Sequence, residues 1–132
     1  MNRTILLIED NEQNRYLATF LLEKHGYGVV TAPDGPRGIE LAQQLMPGLI
    51  LLDIQLPGMD GHAVARALRG LAALRDTPII AVTSYAMVGD REKCLAAGCK
   101  GYIEKPINPE TFVTQLTSFG LPVLPPAGGT NP

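Results

Sequence analysis

Short strand-like apolar runs alternate with stretches of helical spacing along the whole chain. Thr4–Ile8 is a run of strand length, as expected for a strand covered on both faces. Asn14–His25 shows helical spacing, with Leu17, Phe20, Leu21 and Lys24 at i, i+3, i+4 and i+7 and Gly26 as the stop. Gly28–Ala32 reads as a second strand. Asp34-Gly35-Pro36 opens the next helix, whose inner face is predicted at Ile39, Ala42 and Met46 and whose end is marked by Pro47-Gly48. Leu49–Leu52 is the most apolar strand and is predicted to be central. A turn-rich loop, Leu56–Gly61, leads to a helix over His62–Leu71, with Val64, Ala65 and Leu68 on one face. Pro78–Val82 is a fourth strand, Asp90–Ala97 a helix stopped by Gly98, and Gly101–Ile103 a short fifth strand. Asn108-Pro109-Glu110 predicts a helix start, with Asn as cap, Pro in the first turn and Glu favouring the dipole. That helix carries Phe112, Val113 and Leu116 inward.

Five strands alternating with five helices predict an α/β fold: a parallel sheet with helices on both faces, in three αβα layers. Right-handed crossovers limit its topology. The last stretch, Gly120–Pro132, holds four prolines and three glycines and has little to bury. The chain is therefore divided into a domain over 1–120 and a flexible Pro/Gly-rich tail over 121–132.

Composition narrows the picture mainly by exclusion. With 132 residues, 45% of them hydrophobic and 18% charged, the chain fits one globular domain. A net charge of −2 gives no electrostatic reason to expect nucleic acid or an acidic membrane surface. No apolar run approaches the ~18–20 residues that span a bilayer, and the N-terminus lacks a signal-peptide core, so a cytoplasmic protein is expected. Cys94 and Cys99 lie at no metal-knuckle spacing and are read as free thiols. His25 and His62 have no ligand-spaced companions for a zinc site. No glycine-rich phosphate loop is present, so the chain is not expected to use ATP.

The candidate chemistry lies at the ends of the strands. Glu9 and Asp10 follow the first strand, Asp53 the third, Thr83 the fourth, and Lys105 comes just after the fifth. In open α/β sheets, ligands bind outside the carboxyl ends of the strands. This placement gathers three carboxylates and one ammonium into one pocket, which suits a divalent cation and a phosphoryl group. Taken singly, each acid is an ordinary cap or loop residue and Lys105 an ordinary solvated lysine. The joint pattern carries the signal.

These segments resemble a two-component response-regulator receiver domain. The matching stretches are Ile8-Glu-Asp-Asn11, Leu52-Asp-Ile-Gln-Leu-Pro-Gly-Met-Asp-Gly61, Ala81-Val-Thr-Ser84 and Tyr102-Ile-Glu-Lys-Pro106, and the likeness covers about Arg3–Phe119. The resemblance implies a doubly wound (βα)5 flavodoxin-like fold with strand order 2-1-3-4-5. It implies that Asp53 accepts a phosphoryl group from phosphohistidine. Glu9, Asp10, Asp53 and the backbone carbonyl of Gln55 would hold Mg²⁺, with Mn²⁺ as a substitute. Lys105 and Thr83 would contact phosphoryl oxygens, Tyr102 would turn with Thr83 as an aromatic switch, and Pro106 would follow a cis peptide bond. Ser84 stands where the family often has Ala. Gln55 and Tyr85 occupy positions that shape water access to the acyl phosphate, and Tyr85 is expected to slow its hydrolysis.

By the same resemblance the chain is like single-domain receivers of the DivK type and receivers of hybrid kinases. Partners would be a sensor histidine kinase or histidine phosphotransfer protein and a downstream protein target, with the chain a monomer or weak dimer. It would be no enzyme beyond catalysing its own phosphorylation and dephosphorylation. Its output would run through the fourth helix, fifth strand and fifth helix, roughly Asp90–Phe119. Rival readings are an N-terminal receiver cut from a longer transcription factor or hybrid kinase, and a binding module that works without phosphorylation. The native-looking Met1 start speaks against a C-terminal hybrid receiver. A module without phosphorylation would be expected to lack one of Asp10, Asp53, Thr83 or Lys105. An aspartyl-phosphate hydrolase of the haloacid dehalogenase type needs an Asp two residues after the nucleophile, where this chain has Gln55.

Overall fold

A computed structural model describes residues 2–56, 58–84 and 88–122. In chain order the elements are β1 (Thr4–Ile8), α1 (Glu12–Lys24), β2 (Gly28–Ala32), α2 (Gly35–Leu45), β3 (Leu49–Asp53), α3 (Gly61–Arg69), a 3-10 turn (Ala72–Leu74), β4 (Ile79–Thr83), α4 (Val88–Ala96), β5 (Gly101–Glu104) and α5 (Phe112–Ser118). The strands form one parallel sheet in the order β2-β1-β3-β4-β5. This is the predicted doubly wound arrangement. The order reverses between β1 and β3, so the carboxyl ends of these two strands flank a crevice.

Strand side chains alternate between two cores, as the pleat requires. Leu6, Ile8, Ile50, Leu52, Ile79 and Ala81 pack with Ala42 of α2, Val64 and Leu68 of α3 and Cys94 of α4. Ile5, Leu7, Leu49, Leu51, Ile80 and Val82 face the other way and pack with Ala18 and Leu22 of α1 and Phe112 and Leu116 of α5. β3 and β4 are buried throughout, which explains why their sequences are unbroken apolar runs instead of alternating ones.

Several local readings shift. The inner face of α1 is Ala18, Leu21 and Leu22, while Phe20 is half exposed and stacks on exposed Tyr16 at a ring separation of 6.5 Å. The apolar stripe on α1 is wider than the strip that meets the sheet, so spacing alone admits either phase. The helix also starts earlier than predicted, because Asn11 caps it by accepting from the Asn14 N–H. Met46 is exposed rather than inner; it caps α2 in the left-handed conformation, with its N–H on the Ala42 carbonyl. The fifth helix begins at Phe112, not at Asn108. The Asn108 side chain accepts from the Glu110 N–H and its carbonyl from Thr111 and Phe112, so the cap signal is used in a separate turn. β4 starts after Pro78, which has no N–H to give the sheet, although its carbonyl accepts from Ile50.

Two residues just past the expected boundary at 120 contact the domain. Leu121 is buried against the α1/α5 core, its N–H bonds the Leu116 carbonyl, and the Tyr27 hydroxyl donates to the Pro122 carbonyl. A leucine among prolines and glycines still has an apolar side chain to bury. The rest of the predicted tail, 123–132, and Tyr85 lie outside the described residues.

One contact positions the site through the fold. A β-carbon on Gly61, at the start of α3, would stand 2.4 Å from the Ile54 α-carbon and 2.6 Å from its carbonyl oxygen. The Gly61 N–H also donates to that carbonyl, at 3.2 Å. Glycine thus lets the loop after Asp53 close against α3. Gly61→Ala is expected to destabilise the fold by about 1–3 kcal/mol, the usual cost of overpacking, and urea unfolding of the two proteins checks it.

Candidate functional site

Backbone pairing at the carboxyl edge of the sheet sets the positions of the acidic residues. The Glu9 N–H bonds the Ala32 carbonyl of β2, Ile54 bonds Val82 of β4, and Lys105 bonds Thr83. Each strand end is therefore tied to its neighbour just where the candidate residues sit. Arg15, one turn into α1, donates to the Glu9 and Asp10 carbonyls at 3.0 and 2.9 Å and anchors the acidic pair to the helix. Nothing in the motif marks Arg15; its role follows only once the phase of α1 is known.

The side chains then converge. Glu9, Asp53 and Thr83 are the polar residues buried at this edge, while Asp10 is exposed. The Lys105 ammonium lies 3.1 Å from Glu9 Oε1 and 3.1 Å from Asp53 Oδ2, bridging the two buried carboxylates. The Asp53 Oδ1 accepts the Gln55 N–H at 2.9 Å, and Glu9 Oε2 accepts the Asn11 N–H at 3.1 Å. Glu9, Asp10 and Asp53 each offer a carboxylate oxygen within 4.8 Å of the others. Thr83 closes β4 beside them, paired in register with Glu104. Tyr102, half-buried, lies two residues earlier on β5, opposite Ala81. The Lys105–Pro106 peptide bond is cis.

The electrostatics follow from crowding carboxylates in a buried place. Burial pushes the Glu9 carboxyl up to about 7, helped by a hydrogen bond and charge repulsion from Asp53 and opposed by the Asn11 N–H and Lys105. Burial disfavours the Lys105 charge, but Asp53 and Glu9 outweigh it, so its pKa is raised. Without a cation, the Glu9 carboxyl thus favours its protonated form further towards neutrality than a free carboxyl does. A divalent ion would replace that proton. Hard carboxylate oxygens, one of them facing solvent, are the donor set that magnesium prefers.

The sign of the pH dependence follows. A carboxyl whose folded pKa exceeds its unfolded value stabilises the fold below the unfolded value and loses that contribution as pH rises through the folded one. Metal-free protein is therefore expected to lose thermal stability between about pH 4.5 and about pH 7 on account of Glu9. Glu9→Gln is expected to flatten that slope, and melting curves across the range, in chelator, measure it.

Comparison with known proteins agrees with this geometry. A family model for the response regulator receiver domain matches residues 5–117. The polar-differentiation response regulator DivK of Brucella ovis is 40% identical over 119 residues, covering 90% of this chain and 97% of that protein. Among solved structures, the chemotaxis response regulator CheY4 of Vibrio cholerae superposes with a TM-score of 0.86 at 28% identity, covering 90% of this chain and 99% of its own. The receiver domain of the sensor histidine kinase PA1611 from Pseudomonas aeruginosa, with magnesium coordinated in its active-site cleft, gives 0.82 at 35% identity, covering 90% and 98%.

Proposed function

This chain belongs to the response regulator receiver domain family and is a signalling module of two-component systems; on that footing we propose that Asp53 is its phosphoryl acceptor, fed by a phosphohistidine on a histidine kinase or phosphotransfer protein. The observation that carries this reading is the pairing of buried Asp53 with Lys105 at 3.1 Å, inside a cluster of three carboxylates.

The chemistry is a displacement at phosphorus. An Asp53 carboxylate oxygen attacks, the P–O bond forms, the P–N bond to imidazole breaks, and the electron pair leaves on the ring nitrogen. Lys105 is already placed between two carboxylates, so it can shift towards the phosphoryl oxygens as the Asp53 carboxylate becomes an acyl phosphate. Asn11, Gln55 and Arg15 hold the two strand ends still, and most of the rate in phosphoryl transfer comes from such positioning and charge placement. Glu9, Asp10 and Asp53, with the Gln55 carbonyl, would hold Mg²⁺, or Mn²⁺ in its place. The cation would supply charge neutralisation at the transferring group. Thr83 would bind a phosphoryl oxygen, and Tyr102 would follow it, altering the α4–β5–α5 face read by a downstream protein. The same constellation serves the acyl phosphate's hydrolysis, so the catalysis is confined to the protein's own modification.

The donor must bring its histidine over the carboxyl edge of the sheet. The neighbouring surface it would cover includes the exposed Tyr16–Phe20 stack on α1. The test compares a phosphorylated histidine phosphotransfer domain with acetyl phosphate as donors. Chelating Mg²⁺ is expected to stop phosphorylation from both. The double variant Tyr16→Ala, Phe20→Ala is expected to slow transfer from the protein donor by about 10-fold or more, the size of a lost interface hot spot, while leaving acetyl phosphate turnover unchanged. Equal slowing with both donors would count against this docking face.

A further inference from the structure

Gln55 touches two parts of the site at once. Its backbone N–H is bonded to Asp53 Oδ1 at 2.9 Å, and its side-chain oxygen accepts the Ser84 N–H at 3.1 Å. The second bond crosses from the β3–α3 loop to the residue just after Thr83, at the end of β4. Ser84 itself is exposed. Asp53 pairs in register with Val82, so a phosphoryl group on it would bring three acceptor oxygens towards the end of β4, where this N–H lies two residues further on.

We propose that Gln55 is a positioning residue that occupies the Ser84 N–H in the unmodified protein and must yield it to the phosphoryl group. This rests on Asp53 being the acceptor. The Gln55–Ser84 bond would then oppose the modified state by the worth of one net hydrogen bond. Its loss would favour binding of a phosphoryl mimic.

The test uses beryllofluoride with Mg²⁺ on the full chain. Gln55→Met keeps the side-chain length and removes the acceptor. It is expected to bind beryllofluoride about 2- to 10-fold more tightly than wild type, the range set by one net hydrogen bond. Its Ser84 amide proton is expected to exchange faster in the free protein, whereas Gln55→Glu, which retains an acceptor oxygen, keeps the amide protected. Equal or weaker binding by Gln55→Met, or an unprotected Ser84 amide in wild type, overturns the inference. Beryllofluoride binding that is absent from wild type, or undiminished by Asp53→Asn, is a different failure: it removes Asp53 as acceptor, and the Gln55 role with it.

Discussion

Asp53→Asn is expected to abolish phosphorylation from both histidine and small-molecule donors while leaving the protein folded. Asn is nearly the same size, and its amide oxygen can still accept the Gln55 N–H that now bonds Oδ1. What it lacks is the carboxylate oxygen that faces Lys105 and, on the proposed reading, would attack phosphorus. The same change removes the group whose hydrogen bond and charge help hold the Glu9 carboxyl near 7, so Glu9 is expected to titrate lower in the variant. Loss of phosphorylation with a lowered Glu9 pKa identifies Asp53 as both nucleophile and electrostatic partner. Transfer assays and a carboxyl titration by NMR read the two effects separately. Persistent phosphorylation would point to the exposed Asp10 as a second nucleophile.

Lys105→Met is expected to have the next largest effect, and on two properties at once. In the metal-free protein, two buried carboxylates lose the cation that bridges them at 3.1 Å. Orphaning a buried charge typically costs ~3–5 kcal/mol. The cost here is expected to be smaller, about 2–3 kcal/mol, because Glu9 already tends to take up a proton and can neutralise itself. Mg²⁺ should recover most of that stability by supplying positive charge to the same oxygens. It should not recover phosphorylation, because the ammonium proposed to meet the phosphoryl oxygens is gone. A loss of about 100-fold in the phosphorylation rate is expected, comparable to removing one preorganised donor from a transition-state site. Denaturant melts with and without Mg²⁺, set beside phosphorylation rates, check both halves. Recovery of stability and rate together would mean that Lys105 serves only to balance charge.

The parts of this molecule that could be read from its sequence share a physical cause. β3 and β4 are covered on both faces, so their residues form unbroken apolar runs, and the residue that ends each run has its position set by the sheet. Asp53 and Thr83 can therefore be placed at one edge from the sequence, and the resemblance carried by their flanking residues gives that edge a chemistry. The helices were harder because each meets the sheet along a narrow strip. Phe20 satisfies helical spacing as well as Leu22 does, yet only Leu22 is buried. Asn108 carries a strong capping signal that is satisfied four residues before α5 begins. Leu121 lies in a stretch whose composition reads as tail, but a single apolar side chain was enough to dock it.

Within the site, the acids were legible and their wiring was not. No spacing rule says that Lys105 reaches Glu9 as well as Asp53, since that depends on side-chain reach across β1, β3, β4 and β5. No rule says that Gln55 spans to Ser84, because that contact joins two loops 29 positions apart. These contacts turn a set of strand-end charges into a preorganised site. Burial raises the Glu9 pKa, Lys105 is held between two acids, and Gln55 links the loop after Asp53 to the end of β4.

The most direct measurement locates the phosphoryl group itself. Wild-type protein is incubated with acetyl phosphate and Mg²⁺, reduced with borohydride to trap any acyl phosphate, digested, and mapped by mass spectrometry. The predicted result is one phosphoryl group per chain before reduction, and afterwards homoserine at position 53 and nowhere else. No phosphoryl adduct on the intact protein, or trapping at a residue other than Asp53, would contradict it.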